Sequence, residues 1–155
     1  MRNYYITIAL NIFCLASVST IAGAQTESKL SDLIQAANTN DSEAQFDLAV
    51  AYDFGEITKE NDELAFTWYL KSAEQGHAAA QNNLGAMYEY GEGTTLDLDK
   101  AFTWFKRAAE NGSVMGQLNL GEAYDDGEGT PEDNSLAAKW YLKAAENGND
   151  SAQFN

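Results

Sequence analysis

The chain has one cysteine, Cys14, close to its start, so nothing after it can form an internal disulfide or a thiolate metal site. It has one proline, Pro131, and one histidine, His77. With so little proline, few helices are interrupted. A lone histidine leaves zinc short of its usual ligands. Positive charge is also scarce, with 9 Lys and Arg against 24 Asp and Glu. Every acidic residue follows residue 24 and Arg2 precedes it, so the part beyond residue 24 carries −16. Such a chain repels phosphate backbones and anionic membrane surfaces, which argues against nucleic acid and favours basic partners. Ser-x-x-Lys, G-x-S-x-G and Gly-rich phosphate loops are missing too, and the carboxylates are scattered. No catalytic, cofactor-binding or metal-binding residue is therefore assigned, and the reading is non-enzymatic.

Long apolar runs are confined to the N-terminus. Ile6 to Val18 is mostly apolar, Arg2 precedes it, and Ala22-Gly23-Ala24 forms a small-residue cleavage site. Residues 1–24 read as a signal peptide cut before Gln25, because the apolar core is too short to span a bilayer comfortably. The residues before Cys14, Asn11 and Phe13 among them, do not suit lipid attachment. The expected location is periplasmic or secreted, with no stable membrane insertion after cleavage.

What the chain does have is a repeat. Gln45, Gln81, Gln117 and Gln153 are 36 residues apart, and the same offset aligns Leu48, Leu84 and Leu120 without a gap. Turn glycines (Gly55, Gly91, Gly127), tryptophans (Trp68, Trp104, Trp140) and helix-ending glycines (Gly76, Gly112, Gly148) follow the same spacing. Each unit predicts helix, turn, helix. Ala80, Leu84, Met87 and Tyr88 share one face of the first helix, and Ala101, Trp104, Phe105 and Ala108 line the second. Gly91 suits the left-handed end of the first helix, and Asn61, Asp97 and Asp133 suit the start of the second. Mid-helix Gly85 and Gly121 cost about 1 kcal/mol each against Ala, tolerable where another helix must come close. Stacked units bury each other's faces, and about three units are needed for stability, the number present here. The layout expected is a capping helix in 25–42, repeats at 43–78, 79–114 and 115–150, and the start of a truncated fourth repeat at 151–155.

The unit A-x-A-Q-x-x-L-G-x-x-Y-x-x-G-x-G-T…A-x-x-W-[FY]-x-[KR]-A-A-E-x-G, as it runs through 80–112 and 116–148, resembles the Sel-one-like repeat family. That family belongs to the tetratricopeptide-like repeats, and the resemblance covers roughly residues 28–155. It implies an all-α, right-handed α/α solenoid and a role as adaptor or scaffold in signalling, envelope processes or host interaction. The first repeat departs from the pattern, with Ile57 for the second turn glycine and Ala49 for the helix glycine, which bears on the shape of that turn. Some secreted members are cysteine-rich and disulfide-stapled, a branch this chain does not match.

Single residues have plain readings. His77 falls in an inter-repeat turn column and reads as a solvated turn residue. The tryptophan column reads as packing and not as a stacking platform. Acidic turns such as Asp125-Asp126-Gly127-Glu128 lack the order of a calcium loop. The positions that vary between repeats are left for binding. By analogy with tetratricopeptide grooves, the concave face should present Phe46, Val50 and Asp53, then Asn82, Ala86 and Glu89, then Leu118, Glu122 and Asp125. It would be apolar at its start and acidic at its end, suiting a protein or peptide with an apolar anchor and basic residues. The alternative is a cell-wall or β-lactam-interacting enzyme, or a small-ligand binder, on the same fold. A closed apolar cavity with convergent carboxylates would mark it.

Overall fold

The computed structural model describes residues 25–153, with side chains described through residue 148. The expected signal peptide, residues 1–24, lies outside the described residues. Seven helices follow in order: α1 (25–37), α2 (Ser42–Phe54), α3 (Asp62–Glu74), α4 (Ala78–Tyr90), α5 (Leu98–Glu110), α6 (Val114–Asp126) and α7 (Asn134–Gln153). There is no strand among the described residues. α2–α3, α4–α5 and α6–α7 are antiparallel hairpins, and each second helix packs on the next first helix, giving a stacked α/α solenoid. α1 stands where the second helix of a preceding unit would, with Leu30, Leu33 and Ile34 packed against the cluster of Ala37, Ala44 and Leu48.

Local chemistry sets the helix limits. Asn61, Asp97 and Asp133 each accept a backbone N–H with the side chain at the start of α3, α5 and α7. Gly55, Gly91 and Gly127 end the first helices in the left-handed conformation at φ 66–74°. Each hairpin turn is then closed by the same backbone bond, Asn61 to Tyr52 (2.8 Å), Asp97 to Tyr88 (2.8 Å) and Asp133 to Tyr124 (2.7 Å). The first turn differs inside this closure. Gly93 and Gly129 have positive φ, whereas Ile57 does not, so the chain follows another path there.

The core follows the repeated columns. Leu48, Leu84 and Leu120 are fully buried, as are Ala65, Tyr69, Phe105 and Ala108 or nearly so. The mid-helix glycines meet aromatic rings. A Cβ on Gly85 would lie 2.6 Å from the Phe105 ring, and one on Gly121 equally close to Tyr141. Close approach is thus the reason for both glycines.

The shared glutamines tie the units together with hydrogen bonds. The Nε2 atoms of Gln45, Gln81 and Gln117 donate to the carbonyls of Ala37, Ala73 and Ala109 at 3.1, 3.0 and 3.3 Å. Their Oε1 atoms accept from Gln75, Asn111 and Asn147 at 2.7, 2.8 and 3.0 Å. Each buried glutamine therefore links the end of one second helix to the end of the next. A polar group inside the stack is tolerated because both ends of its amide are paired.

Three expectations need correction. His77 is not a solvated turn residue: it is half-buried and caps α4, its Nδ1 accepting from the Ala80 N–H at 3.2 Å. The tryptophan column is less deep than expected. Trp104 is 9 % exposed, but Trp68 and Trp140 are only half-buried, because the neighbouring aromatic column of Tyr69 and Phe105 takes the deepest place. Finally, α7 does not stop at Gly148. Gly76 and Gly112 break their helices at positive φ where the chain folds back on itself, whereas α7 runs through Gly148 to Gln153. Residues 151–153 are thus part of α7 and do not open a separate helix, while 154 and 155 lie outside the described residues.

Candidate interaction surface

The first helices form the inner layer. α4 touches α6 directly, and Asn119 donates to Asn82 Oδ1 across that contact at 2.9 Å. Among the described residues the second helices make no comparable contact with one another. Where α4 meets α6, first helices lie closer together than second helices, which makes their face the concave one there.

The two layers are sorted by charge. α2, α4 and α6 carry seven carboxylates, among them Glu43, Asp53, Glu89 and Glu122, and no Lys or Arg. Six of the eight cations beyond residue 24 (Lys71, Lys100, Lys106, Arg107, Lys139 and Lys143) lie on the second helices. Three of these cover the tryptophans: Lys71 over Trp68 at 3.6 Å, Arg107 over Trp104 at 4.6 Å, and Lys143 over Trp140 at 4.7 Å. A ring face held by a cation of its own chain is not an open stacking platform.

The nine positions expected on the concave face divide into three groups. In the first unit, Phe46 stacks on His77 at 4.6 Å between ring centres and lies 5.8 Å from Tyr69, while Val50 packs on the main core cluster. Asp53 accepts from the Tyr69 hydroxyl at 2.9 Å. All three are half-buried, so the apolar start of the groove is largely spent on the fold. Burial pushes the Asp53 carboxyl up, and Asp62 nearby pushes it further, against the Tyr69 bond. Burial likewise raises the Tyr69 hydroxyl.

In the middle, Asn82 joins Asn119 and lies within reach of Asn83 (3.4 Å), and Ala86 packs on the second core cluster. Leu118 is half-buried. In the acidic group the structure leaves two side chains open. Glu122 and Asp125 are exposed, whereas Glu89 is half-buried and lies within electrostatic reach of Glu122 and Glu128. Burial pushes the Glu89 carboxyl up, the Glu128 and Glu122 charges add to this, and a bond to Tyr90 opposes it. Burial raises the Tyr141 hydroxyl, and Asp125, Glu122 and Asp126 contribute. Sequence reasoning found these carboxylates but missed the pairing of Glu43 with His77 Nε2 at 3.0 Å, which spans 34 residues. The offset of nearly one repeat was the available signal.

Among the described residues no group of His, Cys, Asp and Glu is arranged to hold a metal ion, and no helix is long and apolar enough to cross a membrane. A cleft of about 820 Å³ lies between the start of α3 (Asn61, Asp62, Glu63) and the α4–α5 turn (Gly91, Gly93, Thr94, Thr95), and it is open to solvent.

These features define a class, the helical-hairpin solenoid. The Sel1 repeat profile matches residues 42–77, 78–113 and 114–149, and the chain belongs to that family. The family's members typically serve as protein–protein interaction scaffolds. Among solved structures, a Sel1 repeat protein from Oxalobacter formigenes is 35 % identical over 80 % of this chain, with a TM-score of 0.73. The Helicobacter pylori cysteine rich protein B is 21 % identical over 86 % of this chain and 96 % of its own length, with a TM-score of 0.64, a likeness of fold. The Escherichia coli protein c5321, described as a protective antigen of uropathogenic strains with an SLR fold, is 31 % identical over 77 % of this chain and 33 % of its own, with a TM-score of 0.45. The chain spans 49 % of the Oxalobacter protein. No curated protein matches the chain.

Proposed function

We propose that the chain is exported and acts in the envelope or outside the cell as a non-enzymatic scaffold, its inner face holding a protein segment rich in Lys or Arg. One observation carries the choice of partner: the three first helices carry seven carboxylates and no cation. Such a face steers basic partners into encounter and rejects acidic ones. The apolar positions Phe46 and Val50 are already engaged, so recognition rests on the acidic end, at Glu89, Glu122 and Asp125.

The test uses fluorescein-labelled oligolysine and a variant with Glu89→Gln, Glu122→Gln and Asp125→Asn. The variant should associate more slowly, and its rate should depend less on salt. Equal association rates for variant and wild type at low salt would sink the reading. Export has its own check. N-terminal sequencing of exported protein should begin Gln25-Thr26-Glu27, and a retained Met1 would refute cleavage there.

A further inference from the structure

Beyond the inner face, we propose that the turn edge between the α4–α5 turn and the start of α3 is a second interaction surface, which takes a segment pairing an apolar side chain with Lys or Arg. Three large apolar side chains border this edge. Tyr90 is 68 % exposed, Leu96 62 % and Leu64 39 %, and each adjoins in sequence a residue lining the open cleft. The backbone and Cβ of Leu96 also lie against Gly91, next to Tyr90.

The repeat itself shows that folding does not require these groups. Thirty-six residues on, Tyr90 and Leu96 become Asp126 and Glu132, yet the same closing bond forms, Asp133 to Tyr124 at 2.7 Å. Two exposed apolar residues that the next unit replaces with carboxylates are not needed to close the turn. The cleft beneath them has a fixed floor. Gly93 packs so tightly on the Asp62 carbonyl that a Cβ there would overlap it.

Charge decides the occupant. Asp62 and Glu63 line the cleft, and Glu89 and Glu92 flank the exposed tyrosine. Lys100, the cation at the start of α5, is held by Asp97 at 2.9 Å and lies over Tyr88. An acidic cleft with an apolar rim complements an apolar anchor next to a cation.

An amidated peptide of alternating Lys and Leu is the probe, with amide NMR shifts as the readout. Shifts should appear in Asn61–Leu64 and Tyr90–Leu96 and shrink at high salt. Tyr90→Ser with Leu96→Gln should weaken binding about tenfold. Glu122→Gln with Asp125→Asn should leave these shifts in place, which separates this surface from the inner face. The proposal is overturned if the peptide does not bind, if its shifts fall only on the first helices, or if the Tyr90/Leu96 variant binds equally well. Concentration-dependent dimerisation abolished by that same variant would also overturn it, assigning the edge to a second copy of the chain.

Discussion

Two residues show how one side chain serves more than one helix. Gln81 joins the Ala73 carbonyl to Asn111 while itself buried. Leucine would fill a similar volume but remove both bonds, leaving the Ala73 carbonyl to the Gly76 N–H (3.0 Å) and the exposed Asn111 amide to the Gly76 carbonyl and solvent. Gln81→Leu should cost about 1–2 kcal/mol, the usual net loss for two hydrogen bonds. Urea denaturation measures it, and an unchanged midpoint would mean that water replaces the amide. His77 is the second case. Its Nδ1 accepts from Ala80, which places the ring proton on Nε2, facing Glu43, and the ring lies flat against Phe46. His77→Ala should cost about 1 kcal/mol through loss of the cap. Ser113 performs the same capping in the next unit, so His77→Ser should recover part of that loss. If alanine and serine variants unfold at the same denaturant concentration, the cap contributes nothing measurable.

At the scale of the element, the repeat made most of the fold legible. Columns 36 residues apart located both helices of each unit, the caps at Asn61, Asp97 and Asp133, and the close approach at Gly85 and Gly121. Periodicity marks which residues face inward, but it does not rank two adjacent aromatic columns by depth. Trp68 and Trp140 were therefore read as deeper than they lie. The acidic part of the inner face was legible because charge has no role in the packed columns. The engagement of Phe46 was not, since it depends on His77, which replaces the Ser113 of the following unit and supplies a ring to stack on. The turns offer a direct test. Gly93 combines a φ of 64° with backbone contact to Asp62, whereas Gly112 has a φ of 89° and open space where its Cβ would be. Gly112→Ala should cost about 1–2 kcal/mol, the penalty of a left-handed alanine. Gly93→Ala adds a clash with backbone and should cost clearly more. Equal losses in thermal unfolding would show that conformation alone, and not the α3 contact, sets the requirement at position 93.

For the whole molecule, stability comes from neighbours in the stack, so it should be uneven along the chain. The α4–α5 hairpin has a helix packed on each side, α3 before it and α6 after it. The outer side of α7 has no such neighbour among the described residues. The difference is visible in a single column: Ala73 and Ala109 are buried, and Ala145 is exposed. α1 is also thinly held, with Ala37 its fully buried residue and Leu30, Leu33 and Ile34 only half-buried. Hydrogen exchange should therefore be slowest in α4 and α5, close to the rate set by global unfolding. Amides beyond Ala144 and in the first turns of α1 should exchange much sooner, by local opening. Exchange followed by mass spectrometry on the chain from Gln25 reads this order peptide by peptide. Protection in α7 beyond Ala144 equal to that in α5 would mean that its outer face is covered in solution, and chain mass at the same concentration would show whether a second copy covers it.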